Sequence, residues 1–193
     1  MSAIPVGRPA HVGFEMNIRE EAASDRAEIA GLLGETFAGD REAELVARLR
    51  ADNLIVLALV AEADGKIVGH IVLSGLATEM DDRPIRAAAL APMAVRPGYQ
   101  RRGIGSDLVT TAIERAKRAG VEALIVLGHP SYYPRFGFSA ELAGRLASPL
   151  PDQQHLWPWS FDQERCRAPK GRSLIRKRSP SEPDPCRAAF ALP

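Results

Sequence analysis

Cysteine is scarce: the chain carries two, Cys166 and Cys186, both towards its C-terminal end. Two thiols cannot build a disulfide framework, and a lone pair lacks the ligand spacing of a metal knuckle, so neither a disulfide-stapled module nor a metal site is expected. Charge of one sign is equally scarce. Twenty-five basic residues stand against twenty-four acidic ones, a formal net charge of +1, so no global field draws the protein to nucleic acid or a membrane surface. No apolar run approaches the roughly 18 to 20 residues that span a bilayer. Met1 to Phe14, interrupted by Pro5, Arg8, Pro9 and His11, lacks the continuous apolar stretch of a secretory leader. A reduced, cytoplasmic setting is therefore expected, with no membrane or nucleic-acid partner.

What is present suits one globular domain: 193 residues, 46% apolar and 25% charged, enough for a sizeable core. Residues 1–15 read as an unstructured lead-in, 16–145 as the domain, and 146–193 as a proline- and arginine-rich tail expected to be poorly ordered. Asn17 to Arg19 reads as a short first strand. A helix starts at Asp25, with Glu28 in capping-box spacing and Ile29, Leu32 and Leu33 as its apolar stripe, and Gly34 is expected to break it. A second helix follows Asp40, with Leu45, Val46 and Leu49 facing inward, and the Gly34–Asp40 connection suits a flexible substrate-side loop.

A hairpin comes next: Leu54 to Glu62, an Asp64-Gly65 turn, and Lys66 to Ser74. Thr78 to Pro84 reads as an acidic turn and Ile85 to Val95 as another strand. Pro92 inside that strand cannot donate a ladder hydrogen bond. A bulge near Leu90–Pro92 reconciles the two, with an edge strand as the alternative. A helix is predicted from Gly103 to Ala119, buried along Ile104, Leu108, Val109, Ala112, Ile113 and Ala116, and ended by Gly120. Val121 to Leu127 then forms a short buried strand, and Pro130 to Phe138 one helical turn. This order points to a mixed α/β sheet.

The chemistry concentrates between residues 90 and 138. Gln100-Arg101-Arg102-Gly103-Ile104-Gly105 lies between a strand and a helix. Such a turn aims several backbone N–H groups at one point and adds the positive end of the helix dipole. Three phosphate-binding patterns compete. The Walker A pattern requires a lysine after the last glycine, and Gly105 is followed by Ser106; the dinucleotide fingerprint requires a third glycine where Leu108 stands. The third, the acetyl-CoA turn Gln/Arg-x-x-Gly-x-Gly/Ala, is satisfied by Gln100, Gly103 and Gly105. A glycine-rich turn with two solvated arginines stays open beside it.

The surrounding sequence resembles the GCN5-related N-acetyltransferase (GNAT) family, in particular its branch of small bacterial acetyltransferases. The resemblance rests on Leu90-Ala91-Pro92-Met93-Ala94-Val95, Pro97-Gly98-Tyr99 running into the Gln100–Gly105 turn, Leu127-Gly128-His129-Pro130 and Tyr132-Tyr133-Pro134-Arg135-Phe136-Gly137-Phe138. It extends over about residues 16 to 145, including Arg19-Glu20 and Asp64 to His70. It implies a twisted mixed sheet with helices on both faces, its bulged central strand splayed to hold acetyl-CoA. The pantetheine arm would pair with backbone groups of Met93, Ala94 and Val95, and the pyrophosphate would meet Gln100, Arg101, Arg102, Gly103, Ile104, Gly105 and Ser106.

Acetyl transfer to an amine also needs a proton for the leaving thiolate. In the family this often comes from a tyrosine four residues before the Gly-Phe pair, here Tyr133; Tyr132 falls at a position read as structural. Some members carry a base on the bulged strand, but Arg86 to Leu90 holds no carboxylate. His70, His129 and the acidic group Glu79, Asp81 and Asp82 are weaker candidates, each more simply a structural or solvated residue. The expected acceptor is a small-molecule amine or a protein amino group, and a homodimer is left open. Two rival readings remain: a non-catalytic acyl-CoA sensor, and an interaction protein acting through the tail basic residues Arg165, Arg167, Lys170, Arg172, Arg176, Lys177 and Arg178.

Overall fold

A computed structural model describes residues 16–128 and 131–139, together with the backbone of Leu156–Ser160. Six strands form one sheet: β1 (Met16–Glu20), β2 (Ile55–Ala63), β3 (Lys66–Met80), β4 (Arg83–Val95), β5 (Ala123–Leu127) and β6 (Leu156–Ser160), in that spatial order. Every neighbouring pair is antiparallel except β4 and β5, which are parallel. The parallel pair needs a crossover, which α3 (Ile104–Arg118) supplies. The fold class read from the sequence is therefore the observed one. The β2–β3 turn is also as expected, with Asp64 at φ 51° and Gly65 at φ 70°, the backbone of a tight hairpin.

Two differences concern the sheet. The β3–β4 hairpin is longer than the sequence implied: Thr78, Glu79 and Met80 continue β3, and the turn narrows to Asp81 and Asp82, at φ 51° and 61°. Pairing with β4 carries the polar Thr78 and Glu79 into the ladder, because one strand edge satisfies the other's backbone regardless of side chain. The second difference is β6. The Trp157-Pro158-Trp159 stretch, read as tail, pairs antiparallel with β5 from Leu127↔Leu156 to Ala123↔Ser160. The remainder of the tail and the lead-in, residues 1–15, lie outside the described residues.

Helices cover both faces. On one side α1 (Arg26–Phe37) and α2 (Arg41–Ala51) bury Ile29, Leu32, Leu33, Val46 and Leu49 against Val60, Ile67, Val72 and Ala94. On the other, α3 buries Ile104, Leu108, Val109, Ala112 and Ala116 against Leu59, Ile71, Leu73 and Leu124. The spacing of these apolar residues is the helical period that marked the elements. Gly34 does not end α1, which runs on to Phe37 and stops at Ala38, in the left-handed region at φ 56°. A mid-helix glycine costs about 1 kcal/mol, and burial of three large aliphatic side chains on the same helix outweighs it.

The expected capping box is absent. Asp25 accepts the Ala22 N–H at 2.7 Å and a bond from Arg19 Nη1 at 2.6 Å, while Glu28 reaches across to accept the Ile67 N–H at 2.8 Å. A second charged knot ties the β1–α1 junction to α2 and β3. Glu21 accepts Arg50 Nε at 2.8 Å and His70 Nε2 at 3.0 Å. Burial opposes ionisation of Glu21, but the bonds from His70 and Arg50 win and draw its pKa from 4.5 down to about 2. The carboxylate therefore contributes stability in full above about pH 4.5, and the contribution is lost as pH falls towards 2. Glu21→Gln should cost about 3 kcal/mol at neutral pH, because Arg50 loses its buried partner. Urea titrations should show this loss, and show it shrinking between pH 4.5 and 2, the interval over which the wild-type carboxylate protonates.

Candidate active site

The site grows out of the unequal reach of β4's two neighbours. Against β3, β4 is paired from Arg83 to Val95; against β5, only Ala87, Ala88 and Ala89 are paired, with Ala123, Leu124 and Ile125. Beyond Ala89 the two parallel strands part, leaving a wedge lined by backbone. The cause is visible in the register. Leu90 faces Leu73 and Met93 faces Ile71, so Ala91 and Pro92 together stand opposite the single residue Val72. This is the predicted bulge, and the Ala91–Pro92 peptide bond in it is cis. An inserted residue bends its strand and interrupts the ladder.

Met93, Ala94 and Val95 lie just past the bulge, at the mouth of the wedge. Ala94 is buried among the α1–α2 side chains, whereas Met93 and Val95 pack against the α3 side. Gln100 folds back on this strand, its Nε2 donating to the Val95 carbonyl at 3.0 Å. That bond fixes the loop to the strand and engages one of the backbone groups expected to serve a ligand.

The loop then enters α3 through two positive-φ residues, Arg101 at 60° and Gly103 at 89°. Gly103 occupies the N-cap position without a side-chain cap. The first N–H groups of a helix have no intrahelical acceptor, and the dipole gives that end partial positive charge. An uncapped helix start of this kind fits an anion. Ile104 has its side chain in the core, so only its backbone is available; Arg101 and Arg102 are exposed, the latter 5.4 Å from the centre of the Tyr99 ring.

The turn after β5 supplies the third wall. A Cβ on Gly105 would lie 2.9 Å from the Tyr132 hydroxyl, 3.7 Å from Val95 Cγ2 and 3.8 Å from Met93 Cε. The end of β4, the first turn of α3 and Tyr132 therefore converge on one point. Tyr133, the expected proton donor, begins the Tyr133–Phe136 helical turn and is 8% exposed. Its ring stacks edge-on against Phe138 at 5.6 Å and presses on Gly128, where a Cβ would come 2.2 Å from Cε2. Burial, with a smaller contribution from Tyr132, raises its pKa from 10 to about 12, so it keeps its proton across the neutral range. The sequence reading took Tyr132 as structural and gave it no chemistry; spacing alone does not show its hydroxyl beside Gly105.

The weaker candidates separate cleanly. His70 is fully buried and engaged with Glu21 among the helices of the opposite face. Glu79, Asp81 and Asp82 sit at the far end of β4 from Val95, roughly 40 Å away along an extended strand. His129 lies outside the described residues, among which no group of three or more His, Cys, Asp or Glu side chains could hold a metal ion. No helix among them is long and apolar enough to cross a membrane.

The profile of the Acetyltransferase (GNAT) family matches residues 22–138. The chain belongs to that family. It is 39% identical to the uncharacterized N-acetyltransferase YjhQ of Escherichia coli over 131 residues, 66% of this chain and 71% of that one. With the uncharacterized N-acetyltransferase YhbS of the same organism it shares 36% over 124 residues, 64% and 73% of the two chains. Among solved structures it is similar to a GNAT family acetyltransferase from Brucella melitensis in complex with acetyl-CoA (TM-score 0.64, 31% identity, covering 76% of this chain and 88% of that one). It is also similar to YhbS in complex with CoA (TM-score 0.67, 29% identity, covering 80% and 84%).

The Tyr133–Gly128 contact gives a direct check on this wall. Gly128→Ala should displace the ring and destabilise the fold by about 1 to 3 kcal/mol. Denaturation midpoints together with the near-ultraviolet circular dichroism of the tyrosines would register both effects.

Proposed function

We propose that the protein is an N-acetyltransferase that moves the acetyl group of acetyl-CoA directly to an amine. The carrying observation is the uncapped α3 start set against the β4 wedge, together with the acetyl-CoA and CoA held by the two structural relatives. In this reading the backbone N–H groups of Arg101 to Ser106 bind the pyrophosphate, with Arg101 and Arg102 screening its charge from outside. Gln100 fixes the loop through Val95. The side of Met93, Ala94 and Val95 turned away from β3 holds the pantetheine arm as an added strand, the Val95 carbonyl being already taken by Gln100. The neutral amine nitrogen attacks the acetyl carbonyl carbon, the carbon–sulfur bond breaks, the Tyr133 hydroxyl gives its proton to the sulfur, and the proton shed by the new amide nitrogen restores the phenol through water.

What supports Tyr133 in this role is its place at the head of the turn after β5; burial keeps its hydroxyl protonated across the neutral range. The acceptor arrives as a small-molecule amine or a protein amino group, and its ammonium proton goes to water or to a group other than those of β4 and His70, since Arg86 to Leu90 holds no carboxylate and His70 is committed to Glu21. The missing carboxylate on β4 also favours a second reading, an acyl-CoA sensor without turnover.

Release of free CoA thiol from acetyl-CoA over a panel of amines separates the two: binding without release by any amine would leave the sensor. With an accepted amine, Tyr133→Phe should lower kcat by about a hundredfold or more while acetyl-CoA affinity stays within about twofold. Unchanged turnover removes Tyr133 from the chemistry. The wild-type rate should show no alkaline fall from this group until pH approaches 12, whereas a tyrosine at its ordinary value would begin to fail near 10.

A further inference from the structure

Resting on that reading, we propose that the Tyr132 hydroxyl is an additional ligand for the cofactor's diphosphate, held ready by Arg135. The position comes from Gly105, the second residue of α3, where an added Cβ would meet the Tyr132 oxygen at 2.9 Å. The same point is bounded by Val95 Cγ2 and Met93 Cε, both apolar. The phenol O–H therefore lies beside the first turn of α3, whose leading N–H groups have no intrahelical acceptor. A group with several anionic oxygens suits such a space, because each oxygen accepts more than one hydrogen bond. An acyl group or a pantetheine amide, which also brings an N–H, suits it less well.

The ring is fixed before any ligand arrives. The Arg135 guanidinium lies 4.2 Å over its centre, and Arg135 Nε donates to the Tyr132 carbonyl at 2.8 Å. Phe136 and Tyr133 flank it at 5.4 and 5.1 Å. Side-chain ordering is a cost of binding, and here the fold meets it in advance. Tyr132 and Tyr133 consequently divide the work: one grips the phosphate end, the other serves the sulfur.

The test uses equilibrium binding of two probes to the full chain: acetyl-CoA, and acetyl-pantetheine, which has the thioester arm but no phosphate. Tyr132→Phe removes one oxygen and keeps the ring. It should weaken acetyl-CoA about tenfold, the size of a hydrogen bond to a charged group, and leave acetyl-pantetheine within about twofold. Arg135→Met, which frees the ring but leaves the hydroxyl, should produce a smaller loss with the same selectivity, and covers the case in which Tyr132→Phe is unstable. Unchanged acetyl-CoA affinity, or an equal loss for both probes, overturns the assignment. Failure of the wild-type protein to bind acetyl-CoA is a distinct result: it removes the cofactor reading itself, and this inference with it.

Discussion

Everything at the active site depends on one extra residue in β4. Ala91 and Pro92 occupy the space opposite Val72, and from there the strand can stay with β3 or with β5, but not both. It stays with β3, through Met93↔Ile71 and on to Val95↔Gly69, and leaves β5 behind. The backbone groups released by that choice are the ones a ligand can use. Proline is suited to the position because it brings no N–H that would need a partner at the break. The bulge also sets the path into α3, since the loop after Val95 is tied back to that residue through Gln100.

Around this break the protein is held by ionic contacts as well as by its two cores. The Glu21–Arg50–His70 knot lies on the helix-pair side, and Arg96, which follows β4, is paired with Glu35 near the end of α1. These bonds link the strand bearing the bulge and its neighbour to the helices that cover them. A sheet with a deliberate gap has fewer ladder bonds to define its shape, and side-chain bonds across the gap's supports take over part of that task. None of these groups needs to touch a substrate to matter for the reaction.

The fold was largely legible in the sequence because its signals are local. Alternating and helical apolar periods, the Asp64-Gly65 turn and the glycines around α3 each act over a few residues. The bulge was legible for a related reason, as one proline in an otherwise strand-like run admits few structures. What could not be read depended on distant partners. Glu28 looked like part of a capping box until the Ile67 N–H was available to it. Gly34 looked like a helix end until the sheet was there to bury its neighbours. Trp157 to Trp159 shows no strand period, and becomes a strand because β5 offers an edge. At the site the same rule holds: the glycine turn and Tyr133 were marked by motif, whereas Tyr132's approach to Gly105 depends on how β5 and α3 are juxtaposed.

The pairing of β6 with β5 has a consequence for how this chain can be shortened. β5 is the apolar run Ala-Leu-Ile-Val-Leu, bonded to β4 at only three residues but to β6 along its whole length. A chain cut before Leu156 would expose that hydrophobic ribbon along one full side, the kind of open edge that recruits other chains into aggregates. The distal segment is thus a sheath for the strand that forms the outer jaw of the wedge. The same five residues close the sheet beyond β5.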